Sequence, residues 1–189
     1  MTKKEIKELL IETGVIQEGH FVLSSGRHAD IYMQCAKVLQ YPEHASTLAA
    51  EIAKKWDDKE IDLVIGPALG GVVLSYAVAA EIGVPSIFSE RKNGQMQIRR
   101  GFEIKKGSKV LVVEDVVTTG GSVKEVLALL EGMDVEIVGI SSIVDRSNGK
   151  VDFKYEFKPL LKMDIKSYKA GQCKLCEGKI EITRPGSKA

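Results

Sequence analysis

The chain has 189 residues, 44% of them hydrophobic, enough to bury one substantial core within the usual size of a single domain. Its 27 basic and 26 acidic residues leave a formal charge of +1, so no whole-chain field draws in nucleic acid or an anionic membrane, and any anion site has to be local. Cys35, Cys173 and Cys176 are too few and too unevenly spaced for a disulfide framework, and no stretch approaches a signal peptide or a membrane span, so a reducing, cytoplasmic setting is expected.

Thr2 followed by Glu5 has the spacing of a capping box, and Ile6, Leu9 and Leu10 recur at helical spacing, so the chain opens on an amphipathic helix that Gly14 can end. From Gly19 to Val38 the pattern is irregular and rich in Ser, Gly, His and Arg, which predicts a polar-lined loop or short strands covering a site. A second helix is expected from Pro42 or Glu43 to Trp56. Then comes an alternation: Ile61 to Ile65 as strand, an Ala-rich helix to Ile82, Val84 to Phe88 as strand, Val110 to Val113 as strand, a helix over 123–130, and Val135 to Ile140 as strand. Apolar, β-branched strands separated by helices predict an α/β fold, with a mainly parallel central sheet covered by helices on both faces. No interdomain linker is visible, and one domain is expected over 1–189.

Glu114-Asp115-Val116-Val117-Thr118-Thr119-Gly120-Gly121-Ser122 follows one of these strands and precedes a helix, at the carboxyl edge where α/β sheets place ligands. Adjacent carboxylates accept hydrogen bonds from paired hydroxyls, while the Thr/Gly/Ser half offers hydroxyls and unobstructed N–H groups to a phosphate. Glycine admits a close backbone approach, and the following helix adds about half a positive charge at its N-terminus. An ordinary alternative is a strand-turn-helix corner in which Ser122 and Glu125 form a capping box. Neither GxxxxGK[ST] nor a properly placed GxGxxG occurs.

The segment resembles the diphosphoribosyl-binding motif of type I phosphoribosyltransferases: an apolar strand, two acids, two variable residues and a Thr/Gly-rich turn. The resemblance implies that Glu114 and Asp115 hold ribose hydroxyls, that 118–122 holds a 5-phosphate, and that Val116 and Val117 line the same donor site. It also implies a small hood over the sheet, built from roughly 1–40 and 150–189, and a homodimer in which each basic loop reaches the neighbouring site.

Gly66-Pro67-Ala68-Leu69-Gly70-Gly71 also links a strand to a helix, either merely to permit tight packing or to cradle a second anion on its amides. Beside the acidic segment it looks like the family's pyrophosphate loop, with Ala68, Leu69, Gly70 and Gly71 as contacts. The stretch Glu90 to Gly101 sets Arg91, Lys92, Arg99 and Arg100 around a Gly-containing tip, either as a mobile loop gripping a diphosphate or as a solvated basic hairpin. Arg91 and Lys92 adjoin a predicted strand end and, with Asp115, are the candidate catalytic residues. Mg²⁺, held mainly by the substrate, would share the charge of a departing pyrophosphate with these cations.

Arg146 closes the apolar run Ser141 to Asp145 near the same edge, either facing an anionic base or pairing with Asp145. Orotate phosphoribosyltransferases carry an arginine at this position and an N-terminal Ser-Gly-Arg segment, here within Phe21 to Tyr32. The similarity runs from Gly19 to Arg146 and implies orotate as the base, contacted by Thr118, Arg146, Ser25, Gly26, Arg27 and Tyr32. Two departures stand out: Ser24 replaces a lysine common before Ser-Gly-Arg, and the loop lacks a Lys-Asp-His-Gly cluster. Transfer to another base, or a non-catalytic sensor of the donor, remains the rival reading. Cys173-Lys174-Leu175-Cys176 has the spacing of half a zinc site, but with no second CxxC or HxxxH it is read as a reduced structural pair, the alternatives being recruitment of Cys35 or a histidine or a metal shared across a dimer interface; His20, His28 and His44 are read as isolated residues.

Overall fold

A computed structural model describes residues 1–23 and 25–184; Ser24 lies outside them. Helix α1 (Lys3–Glu12) opens on the expected capping box, with Glu5 N donating to Thr2 Oγ1 at 3.2 Å and Thr2 N donating to Glu5 Oε2 at 2.6 Å. The irregular stretch that follows is an antiparallel hairpin of β1 (Ile16–Val22) and β2 (His28–Met33). Next come α2 (Ala36–Leu39), α3 (Pro42–Ala53), β3 (Leu63–Pro67), α4 (Gly70–Ile82), β4 (Ser86–Lys92), β5 (Gln95–Ile98), β6 (Lys109–Val117), α5 (Gly121–Glu131), β7 (Glu136–Asp145) and β8 (Phe157–Lys162). The chain continues through β9 (Ser167–Tyr168), α6 (Lys174–Glu177) and β10 (Ile182–Thr183).

The central sheet has the order β5-β4-β3-β6-β7-β8, parallel throughout except for the edge strand β5. Side chains alternate across it: Leu111 and Val113 join Leu48, Ile52, Trp56, Leu74 and Val78 on the face covered by α3 and α4, whereas Val110 and Val112 meet Val123, Val126, Leu127 and Leu130 of α5 on the other. Burial on both faces explains why these strands read as continuous apolar runs. A second sheet, β10-β1-β2-β9, joins the N-terminal hairpin to the end of the chain. Its neighbour β8 comes from the stretch expected in the hood, yet it extends the central sheet beside β7.

Two strands are longer than their apolar cores. Pairing with β7 carries β6 four residues past Val113, so Glu114 and Asp115 sit on a strand, not on the turn after it. The basic stretch Glu90 to Gly101 is a β-hairpin instead of a free loop, with β4 and β5 joined at Asn93 and Gly94, whose φ values of 53° and 80° suit a two-residue hairpin turn.

Candidate active site

The carboxyl ends of β3, β6 and β7 bring the sequence candidates to one edge of the sheet. Glu114 is 8% exposed, and a pocket beside it is lined by 116–123. Asp115 N donates to Glu114 Oε1 at 3.1 Å, and Val116 N donates to Asp115 Oδ1 at 2.7 Å, which fixes both carboxyl groups at the strand end. Burial first, then the neighbouring Asp115 charge, pushes Glu114 up to about 9, and burial raises Asp115 as well. The charge of Arg91 offsets part of the rise at Glu114.

The glycine-rich turn between β3 and α4 presses on these acids. A Cβ on Gly70 would lie 2.5 Å from Asp115 Oδ2, so only glycine lets the turn approach this closely. Ala68 is half-buried, Leu69 is 87% exposed, and the peptide between them is cis. Gly120 is doubly required: its φ is +73°, and a Cβ there would meet Val151 Cγ1 at 2.7 Å and Phe153 Cζ at 2.9 Å. It is also the N-cap of α5, which has no side-chain cap, so the capping box proposed for Ser122 and Glu125 does not form. Thr118 and Thr119 are exposed before that helix N-terminus, and Ser122 is half-buried in its first turn. The hydroxyls and amides of the turn remain available to an anion.

Glu125 instead takes Arg91, whose Nε and Nη2 donate to its two carboxylate oxygens at 3.0 and 2.9 Å. This bidentate pair, which raises the Arg91 pKa further, holds Nη2 at 3.4 Å from Ser122 Oγ. Lys92 is exposed and, one residue on, alternates to the opposite side of β4, so Arg91 alone of the two is brought to the turn at Ser122. Arg99 and Arg100 both pair with Glu90, at 3.3 and 3.0 Å.

Arg146 does not pair with Asp145. Asp145 Oδ1 accepts from Ser147 N at 2.8 Å, and Arg146 Nε is buried without a hydrogen-bond partner among the described residues. Burial weakens the hold of the guanidinium on its proton, while Cys35 and Tyr32 lie within electrostatic reach. Cys35, which sequence reasoning did not place at this edge, is 2% exposed and feels burial first and Asp115 next, so its thiol stays neutral. Ser142, also missed, stands across from Glu114 on β7, and its buried hydroxyl has no partner among the described residues. Ser25 and Gly26 form the exposed tip of the β1–β2 hairpin, but Arg27 is turned to β9, donating from Nε to Ser167 Oγ at 2.8 Å and from Nη2 to the Ser167 carbonyl. Arg27 therefore braces the hairpin in this structure.

His20 and His28 are not isolated, contrary to the sequence expectation. They lie 1% and 6% exposed against Cys173 and Cys176, more than 140 positions away in the chain.

A model of the phosphoribosyl transferase domain matches residues 37–172. The orotate phosphoribosyltransferase of Thermoanaerobacter sp. (strain X514) is 50% identical over 188 residues, covering 100% of this chain and 99% of its own. The fold is shared with the orotate phosphoribosyltransferase of Aeropyrum pernix, at TM-score 0.71 and 24% identity over 84% of this chain and 93% of that one. It is shared too with the Mycobacterium tuberculosis enzyme in complex with 5-phospho-alpha-D-ribosyl 1-diphosphate, at TM-score 0.67 and 22% identity over 85% of this chain and 95% of that one.

Proposed function

The chain belongs to the phosphoribosyl transferase family, and we propose that it transfers the phosphoribosyl group of 5-phosphoribosyl 1-diphosphate to orotate, giving orotidine 5-phosphate and pyrophosphate on the route to UMP. The observation that carries the choice of base is Arg146, a half-buried arginine whose buried Nε has no hydrogen-bond partner among the described residues, at the sheet edge that also holds the acid pair. An anionic base would supply what that atom lacks.

In this reading Glu114 and Asp115 accept the ribose hydroxyls, and 118–122 takes the 5-phosphate on its amides and hydroxyls. The diphosphate lies against Ala68 to Gly71, with Arg91 held nearby by Glu125. Tyr32 and Arg146 bound the base. As the bond from the base nitrogen to the anomeric carbon forms, the bond to the diphosphate oxygen breaks; that oxygen keeps the electron pair, and the base nitrogen gives up its proton. Carboxylates close to the sugar stabilise the positive charge that develops there. Mg²⁺ entering with the donor would supply charge neutralisation on the leaving group, and the buried Glu114 and half-buried Asp115 are the acids beside which it would sit, in exchange for the proton that burial favours.

The assembly belongs to the proposal too. Leu69, within the proposed pyrophosphate loop at the N-cap of α4, and Val73 and Tyr76 along the helix form a stripe, 87%, 47% and 72% exposed. A second copy of the chain in the cytoplasm would cover it. A dimeric mass in sedimentation equilibrium that falls to the monomer in Tyr76→Lys is expected; a wild-type monomer would remove this part of the reading.

The reaction is tested by the absorbance of orotate mixed with protein, 5-phosphoribosyl 1-diphosphate and Mg²⁺, each omitted in turn. Consumption of orotate that needs every component is expected. Turnover of a different base in a panel would keep the donor site and discard orotate, and no turnover of any base would overturn the assignment.

A further inference from the structure

We propose that His20, His28, Cys173 and Cys176 form a tetrahedral zinc site that fastens the C-terminal segment to the β1–β2 hairpin. One potential ligand atom from each lies within 4.8 Å of the other three. His20 Nε2 is 3.6 Å from both sulfurs, and His28 Nδ1 is 3.3 Å from Cys176 Sγ. Zinc bonds of about 2.3 Å to sulfur and about 2.0 Å to nitrogen, at tetrahedral angles, set neighbouring ligands about 3.3–3.8 Å apart. The three nitrogen-sulfur distances already fit. The two ring nitrogens are closer, 2.7 Å apart, as a hydrogen-bonded pair would be. They have to open by about half an ångström to share an ion.

The protonation of His20 is set from outside the cluster. Its Nδ1 lies 2.9 Å from the carbonyl oxygen of Ile180. A carbonyl only accepts, so Nδ1 carries the proton and Nε2 presents its lone pair to the centre. Backbone bonding of the far ring nitrogen is how metal-binding histidines are commonly oriented. The two cysteines are free, and the turn from Cys173 to Cys176, closed by Cys176 N donating to Cys173 O at 3.0 Å, puts both sulfurs on one side. Two nitrogens and two sulfurs in a closed tetrahedron select zinc over Mg²⁺ or Ca²⁺.

The fold has a use for such a link. From Lys169 to Arg184, Cys173 is the one buried residue, so no apolar core holds this stretch. Yet β10 pairs with β1, and β9 just before it pairs with β2. A metal at the cysteines would anchor the segment to both arms of the hairpin, whose tip carries Ser25 and Gly26. This claim stands independently of which base the enzyme uses.

The test uses the full chain, purified under reducing conditions without chelator. About one zinc per chain is expected, and the stripped protein should bind Co²⁺ with the visible absorption of a tetrahedral ion and near-ultraviolet thiolate charge-transfer bands, both abolished by added zinc. Cys176→Ser should weaken Co²⁺ binding by on the order of 100-fold or more, whereas Cys35→Ser should leave it unchanged. Removing the metal should increase hydrogen exchange and proteolysis over residues 169–184. Wild-type protein that neither carries zinc nor gives the cobalt spectrum would overturn the proposal, as would a disulfide between Cys173 and Cys176 or full metal content in Cys176→Ser.

Discussion

Asp115→Asn is expected to lower kcat/KM for the phosphoribosyl donor by on the order of 100-fold, because hydrogen bonds to a charged acceptor are worth about 1.5–3 kcal/mol and the same charge faces a positive centre in the transition state. Glu114→Gln should also weaken donor binding, with a second signature. Glu114 is held near 9 in the folded protein against an ordinary 4.5, so its contribution to stability is complete below the lower value and is lost as pH rises through the higher one. The free protein should therefore lose Tm between roughly pH 5 and pH 9. Donor binding should run the other way. Ribose hydroxyls donate to the ionised form, so binding releases a proton, and affinity should rise with pH by up to about tenfold per unit as the free enzyme titrates. In Glu114→Gln both slopes should flatten, and at alkaline pH its Tm should exceed wild type by about 2–4 °C for each kcal/mol of charge burial removed. Thermal unfolding and donor titration across the same pH series check this. Donor binding that does not change with pH in the wild type would mean that Glu114 does not meet the ribose.

The donor site was legible because its chemistry is local: two acids, two threonines and two glycines in nine consecutive positions announce what the turn can hold. The structure adds what a linear reading omits. Glu114 lies within β6 because β7 offers it a partner strand, and periodicity cannot see a partner. The hairpin at Asn93-Gly94 had a readable turn signal that the cluster of basic residues obscured. The bond of Arg27 to Ser167 depends on a strand 140 residues later, which the motif around Arg27 could not show. The four-residue cluster of histidines and cysteines failed to show for the same reason: half of it is a visible CxxC, and the other half becomes a neighbour only when β10 docks on β1.

Arg146→Ala should lower kcat/KM for orotate by on the order of 100- to 1,000-fold while leaving donor affinity within about twofold of wild type, since truncating one member of a buried charge pair costs about 2–5 kcal/mol. The backbone of Arg146 is fixed by its N–H donating to Val117 O at 2.8 Å, so the substitution removes the guanidinium without releasing the strand end. Its Nε has no partner among the described residues, and removing a poorly solvated cation should leave Tm unchanged or higher. This is the opposite of what a structural ion pair would give. Arg146→Lys should not restore orotate use, because a point charge on a flexible stem cannot present the planar fork that a carboxylate accepts. Kinetics with orotate varied at saturating donor, alongside calorimetric titration of the donor alone, separate the two effects. If orotate and donor parameters fall together and Tm falls with them, Arg146 supports the sheet edge and does not meet the base.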